Sequence, residues 1–151
     1  MTVLVTGSSG FIGAHVVLEL SRRGYSVRAG MRNLDYSSIF LNLENVECVK
    51  MDLFNVDSLK NAVKGCDDVI HCAASLNIGV KDVKAEVVDP SVIGVENLCS
   101  VMVDVKRIVH TSSVAAIRSS KFENGKVFTN SDWCEDATPS YNAYGFAKAE
   151  A

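Results

Sequence analysis

Tyr144 and Lys148 stand four residues apart in the run Ser140-Tyr141-Asn142-Ala143-Tyr144-Gly145-Phe146-Ala147-Lys148, and in a helix that spacing puts both on one face. An ammonium beside a phenol favours the phenolate, drawing a pKa of about 10 down toward the working range. Such a phenol can hand a proton to a carbonyl oxygen or take one from an alcohol. Tyr141 has Gly145 at the matching position and cannot take that role. Thr111-Ser112-Ser113 follows an apolar run and so falls at a strand end, where open parallel sheets bind ligands. A hydroxyl there can bond a substrate oxygen and orient it. Ser113 is the expected contributor and Ser112 its structural neighbour; satisfying strand-end backbone groups is the competing role for both.

A second constellation opens the chain. Thr6-Gly7-Ser8-Ser9-Gly10-Phe11-Ile12-Gly13 reads GxxGxxG directly after an apolar run and at the start of an amphipathic stretch. Gly7 permits a tight turn, Gly10 lets backbone approach a phosphate, and Gly13 lets helix and strand pack closely. The helix start, with Ser9, Phe11 and Ile12 around it, offers unpaired N–H groups and a positive dipole end to a pyrophosphate. An NAD site usually carries Asp or Glu about 20 residues further on, against the ribose 2′-hydroxyl. Here that stretch is Val27-Arg28-Ala29-Gly30-Met31-Arg32-Asn33, with two arginines and no acid. Guanidinium pairs bidentately with a 2′-phosphate, so the stretch favours NADP over NAD. Arg32, at the strand end, is the expected phosphate ligand; Arg28 lies mid-strand, where packing or solvation competes. Asp52, with Leu53 set beside the ring, could accept from an adenine amino group or simply serve a turn.

These residues need a scaffold to position them. Short β-branched runs predict strands over 2–6, 25–31, 46–51, 68–72 and 105–110, with a short helix between the second and third. A longer helix is expected over 11–23, with Phe11, Ile12, His15, Val16, Leu18 and Leu20 turned inward. Another runs over 56–64, opened by Asn55 or Asp57 and ended at Gly65. A third spans about 90–103, with Pro90 in its first turn, and a last one opens at Tyr141. Alternation of this kind implies a parallel, doubly wound α/β sheet of the Rossmann type. Residues 119–140, with Asn124-Gly125 and Thr138-Pro139, form the one long irregular segment; such a length is usually functional or mobile.

Composition narrows the function classes. A net charge of −3 and a pI near 5.6 argue against holding nucleic acid through phosphate contacts. No apolar run approaches the ~18–20 residues that cross a bilayer, and MTVLVTG enters a strand without a basic leader. No membrane partner and a cytoplasmic location are therefore expected. The five cysteines are odd in number and form no CxxC pair, so they are expected as small buried hydrophobes in a reducing compartment, with no metal site. His71 and His110 read as core or strand-end residues, and His15 as either a packing residue or a neighbour of the pyrophosphate.

TGSSGFIG at 6–13, HCAAS at 71–75, TSS at 111–113 and YGFAK at 144–148 together resemble an extended short-chain dehydrogenase/reductase of the NAD-dependent epimerase/dehydratase superfamily. The acid, proline, glycine and leucine placement in residues 86–98 is similar to the dihydroflavonol reductase, cinnamoyl-CoA reductase and 3β-hydroxysteroid dehydrogenase group. The resemblance implies Tyr144 as acid/base, Lys148 as its activator and a nicotinamide-ribose ligand, and Ser113 as the carbonyl orienter. It implies Ala73 and Ala74 as small residues that let a cofactor pass the fourth strand. The implied activity is NADP(H)-dependent reduction of a small carbonyl compound, or oxidation of the matching alcohol. An NAD-using nucleotide-sugar epimerase or dehydratase, and a non-catalytic NADP-binding module, remain the alternatives; self-association stays open. Members of that group continue through further strands and a substrate lobe. The chain is accordingly expected to be an incomplete dinucleotide-binding domain over 1–151, with an open sheet edge at its fifth strand and little or no turnover by itself.

Overall fold

Thr2–Thr6, a β-branched run, forms β1 and is buried everywhere but at Thr2, as a strand covered on both faces should be. The computed structural model describes residues 1–75, 80–121 and 125–151. Helix α1 (Phe11–Arg22) follows, then β2 (Ser26–Met31), a 3₁₀ turn at Leu34–Phe40 and β3 (Val46–Lys50). Next come α2 (Val56–Val63), β4 (Asp68–His71), α3 (Asp89–Val101), β5 (Arg107–His110) and α4 (Ala143–Glu150). Asn55 is the residue that opens α2, its Oδ1 accepting from the Ser58 N–H at 2.9 Å. The strands lie parallel in the order β3-β2-β1-β4-β5. The chain thus builds outward from β1 to β3, then returns to the other side of β1, and that reversal is where doubly wound sheets bind ligands.

The chain divides into two compact units, residues 1–73 with 97–111, and residues 74–96 with 112–151. In the first, alternate side chains of the strands build a core on each face of the sheet. Leu4 and Val69 pack with Leu59 and Leu98 on one face, while Val5 and Val27 pack with Val17 and Phe40 on the other. Each fully buried Leu or Val contributes about 1.5–3 kcal/mol. Helix α1 departs from the expected inward set: Phe11, Ile12 and Leu18 are exposed, and Gly13 and Val17 are its buried residues. The stripe at 13 and 17 faces the sheet at helical spacing. Phe11 and Ile12 instead line, with Val16, Leu20, Tyr25 and Ile70, an apolar groove of about 490 Å³. β5 is the open edge, pairing only with β4 among the described residues and leaving Val109 58% exposed.

In the second unit Val87 and Val88 pack with Ala147, Val92 and Phe146. Pro90 is the second residue of α3, in the first turn as expected, and a π-turn over Lys84–Val88 runs into the helix ahead of it. Proline has no N–H to give the carbonyl four residues back. Ser75 Oγ donates to that carbonyl, Glu86 O, in its place. Asn124 lies outside the described residues.

Candidate cofactor-binding and active site

β1 carries its last residue, Thr6, to the sheet centre with no exposed surface. Its Oγ1 accepts the N–H groups of Cys72 at 3.2 Å and Ala73 at 3.1 Å, and bonds His71 Nδ1 at 2.7 Å. With its acceptor positions filled, the hydroxyl donates to Nδ1, which places the neutral ring's proton on Nε2. This knot sets Ala73 against Gly7: a Cβ on Gly7 (φ +66°) would lie 2.8 Å from Ala73 Cα and N. One on Gly13 would lie 2.7 Å from the Gly7 carbonyl carbon. Both positions therefore require glycine, the first for its left-handed turn as well. The loop is pinned further by Ser8, whose N–H and Oγ donate to Gly30 O at 3.1 and 2.9 Å.

Gly10 caps α1 without any side-chain bond, and Ser9, Gly10, Phe11 and Ile12 are all exposed. The start of the helix, with its first-turn N–H groups and positive end, is thus exposed among the described residues. A diphosphate fits that cradle. His15 does not extend it, because its Nδ1 bonds Phe11 O at 2.8 Å and its ring packs on Phe11.

The two arginines after β1 have separate fates. Arg28 donates to Glu47 Oε2 at 2.9 Å, Ala62 O at 3.0 Å and Lys64 O at 2.7 Å, so it ties β2 to β3 and the end of α2. Arg32, just past β2, is exposed and makes no hydrogen bond or ion pair among the described residues. Met31 before it is buried. Asp52 holds a turn, Oδ1 accepting from Phe54 N–H at 2.9 Å. Leu53 packs against the first core, and its carbonyl accepts from Asn97 Nδ2 at 2.9 Å.

The second unit holds Ser113, Tyr144 and Lys148. Ser113 heads a 3₁₀ turn at Val114–Ala116, and its Oγ accepts from Ala115 N–H at 3.1 Å, leaving the hydroxyl proton to donate elsewhere. That turn and the π-turn both pack against α4. On α4, Tyr144 is half-buried and Lys148 buried, one helical turn apart as their spacing requires. Ala74 is exposed. Asn142 caps the helix, Oδ1 accepting from Gly145 N–H at 3.0 Å. Asp136 accepts from Ser120 N–H, Ser119 Oγ and Lys121 N–H. These donors, the Ser120 N–H foremost, hold its carboxyl at about 2.

Thr6, Ser8, Asn97 and Asp136 were not picked out in the sequence. A hydroxyl closing an apolar strand was the available signal for Thr6, and Asn two residues ahead of Tyr144 the signal for a cap. Nothing local marks Asn97 or Asp136.

Residues 3–151 match the model of the NAD dependent epimerase/dehydratase family. The chain belongs to that family. It is 36% identical over 144 residues to Dihydroflavonol 4-reductase of Arabidopsis thaliana, covering 89% of this chain and 37% of that protein. It is 32% identical over 162 residues to Cinnamoyl-CoA reductase 1 of Petunia hybrida, covering 98% and 47% respectively. Among solved structures, yeast methylglyoxal/isovaleraldehyde reductase Gre2 complexed with NADPH superposes with a TM-score of 0.89 at 26% identity. That match covers 99% of this chain and 50% of the yeast protein. The chain spans half or less of the length of these relatives. The resemblance drawn from the four motifs, to extended short-chain dehydrogenase/reductases, and that drawn from residues 86–98, to the dihydroflavonol and cinnamoyl-CoA reductase group, are met. Among the described residues no helix is long and apolar enough to cross a membrane.

Proposed function

We propose that residues 1–151 form the dinucleotide-binding part of an NADP(H)-dependent reductase, which reduces a small carbonyl compound or oxidises the matching alcohol. One observation carries the cofactor choice: the end of β2 offers an exposed guanidinium at Arg32, unengaged among the described residues, while Arg28 is held by β3 and the end of α2. A ribose 2′-phosphate suits such a group, whereas a bare 2′-hydroxyl would want a carboxylate. The names of the relatives, reductases among them one complexed with NADPH, support the same reading.

The glycine cradle and the start of α1, with Ser9, Phe11 and Ile12, would hold the pyrophosphate. Arg32 would hold the 2′-phosphate, Asp52 and Leu53 the adenine, and Ala73 and Ala74 would leave room along the fourth strand. When bound, the dinucleotide supplies or takes up hydride. Ser113 donates its hydroxyl proton in a hydrogen bond to the substrate oxygen and orients it. Tyr144 delivers a proton from Oη to that oxygen during reduction and takes it back during oxidation, with the Lys148 ammonium stabilising the phenolate left behind. Five unpaired cysteines suit a reducing compartment such as the cytoplasm.

Fluorescence titration of the chain with NADPH and NADH tests the assignment. NADPH should bind more tightly, and Arg32→Ala should weaken NADPH by about 10- to 100-fold, the worth of a charge-assisted pair, with NADH barely changed. A clear preference of the unaltered chain for NADH would overturn it.

A further inference from the structure

Asn142 is the only described residue other than glycine with a positive φ, at 60°. Residues held in that region persist where their surroundings impose it, and the surroundings here are specific. Asn142 Nδ2 donates to Ser120 Oγ at 2.7 Å, and the Tyr141 hydroxyl donates to Ser120 O at 3.2 Å. Ser120 is itself fixed by its N–H to Asp136 Oδ1 at 2.7 Å, while Oδ2 takes Ser119 Oγ at 2.8 Å and Lys121 N–H at 3.1 Å. Asn142 then starts α4 twice over, through Oδ1 to Gly145 N–H and through its carbonyl to Phe146 N–H at 3.0 Å. Its amide lies so close over residue 145 that a Cβ there would overlap it. The path from Asp136 to the first turn of α4, which carries Tyr144, therefore runs through three consecutive contacts: Asp136 to Ser120, Ser120 to Asn142, and Asn142 to Gly145.

We propose that Asp136 is a positioning residue for Tyr144, acting through Ser120 and the left-handed Asn142 to set where the first turn of α4 begins. The inference rests on the reading of Tyr144 as the proton-handling residue. A carboxylate is the group that can do this. Four donors converge on its two oxygens, the Cys134 thiol at 3.6 Å from Oδ1 beside the three just named, and an amide would present an N–H to at least one of them. Ser120 passes the placement on because its N–H, O and Oγ are all engaged with different partners. Shift residues 119–121 and the Asn142 amide loses its acceptor, the left-handed conformation loses its support, and Tyr144, two residues on, moves with it.

The test uses the chain with ¹³C-labelled tyrosine and amide hydrogen exchange. Asp136→Asn keeps shape and removes acceptors; Ser120→Ala removes the Oγ contacts with Asn142 and the Cys134 thiol, keeps the N–H bond to Asp136, and is mild enough to fold if the first variant does not. Both should shift the Tyr144 ring signals in the same direction. Both should speed exchange at Gly145 and Phe146 by about five- to tenfold, the effect of losing a helix cap, while amides of the sheet stay as they were. A purely structural role would loosen the whole second unit, Val87 and Val88 included, or leave the ring signals in place, and either result overturns the proposal. Tyr144→Phe, made in the whole protein and assayed for carbonyl reduction, tests the underlying reading separately: full activity there would remove the role of Tyr144 without touching the contact path.

Discussion

Replacing Thr6 by valine keeps the shape of a buried side chain and deletes the oxygen at the centre of the cradle. Two backbone N–H groups, of Cys72 and Ala73, lose their acceptor, and His71 Nδ1 loses its donor. Each orphaned backbone donor costs about 1–3 kcal/mol. Cys72 and Ala73 are only partly buried, so the lower half of that range applies to each. The added methyl returns about 0.8 kcal/mol. The net loss is about 1–3 kcal/mol, or a fall in Tm of about 2–12 °C for a chain of this size. Thr6→Ser, which keeps the oxygen and drops a methyl, should lose only about 1 kcal/mol. Urea unfolding of the three proteins at pH 7 measures the difference directly. NADPH affinity should follow the same order, because Ala73 is no longer drawn against Gly7. If valine proves no more disruptive than serine, the hydroxyl is not what joins β1 to β4, and the account of the cradle fails.

Arg28→Ala should lower stability by about 1.5–3 kcal/mol, as expected for charged hydrogen bonds to otherwise capped carbonyls, and leave the NADPH-to-NADH affinity ratio unchanged. A collapse of that ratio would move the phosphate-binding role from Arg32 to Arg28. Acid should weaken the fold in a defined window. Asp136, held down by the Ser120 N–H, and Glu19, held down by Arg22 and then Arg23, both sit at about 2, below the ordinary carboxylate range near 4. The unfolded chain binds these protons more readily, so their stabilising contribution is whole above about pH 4 and is lost as pH falls toward 2. Urea midpoints at pH 6, 4 and 2.5 should therefore be nearly level over the first interval and drop over the second; a level profile throughout would contradict the pairing described.

What the sequence made legible was local. The glycine loop could be read because Gly10 and Gly13 answer local contacts with Gly7, and because strand, loop and helix are consecutive; that Gly7 itself meets Ala73 was not legible. Tyr144 and Lys148 share a helix, so spacing alone brought them together. Position along the strand already set Arg32 ahead of Arg28; what the sequence could not show is what holds Arg28, since the carbonyls it bonds lie 34 and 36 residues away. Asp136 escaped notice for a like reason: its donors lie across an irregular segment with no periodicity to read. Apolarity misled at Phe11 and Ile12, because residue type says that a side chain prefers burial and not which flank of the helix receives a cover. Pro90 was read correctly as a first-turn residue of α3, but nothing local announced the π-turn ahead of it or the Ser75 hydroxyl on Glu86 O.

The order of the strands also governs when the cradle can exist during folding. β1 is the first element made, yet its partner β4 comes 65 residues later, as the Thr6 to His71 bond shows. β1, β2 and β3 can gather around α1 while the rest of the chain is still being synthesised, but one edge of the central strand stays unpaired throughout that interval. Non-local parallel pairings of this kind form slowly and leave edges exposed to other chains. Gly7 meets its wall only when Ala73 arrives. A ribosome-bound intermediate that stops short of β4 would hold every glycine of the loop and still lack the surface that gives the loop its shape.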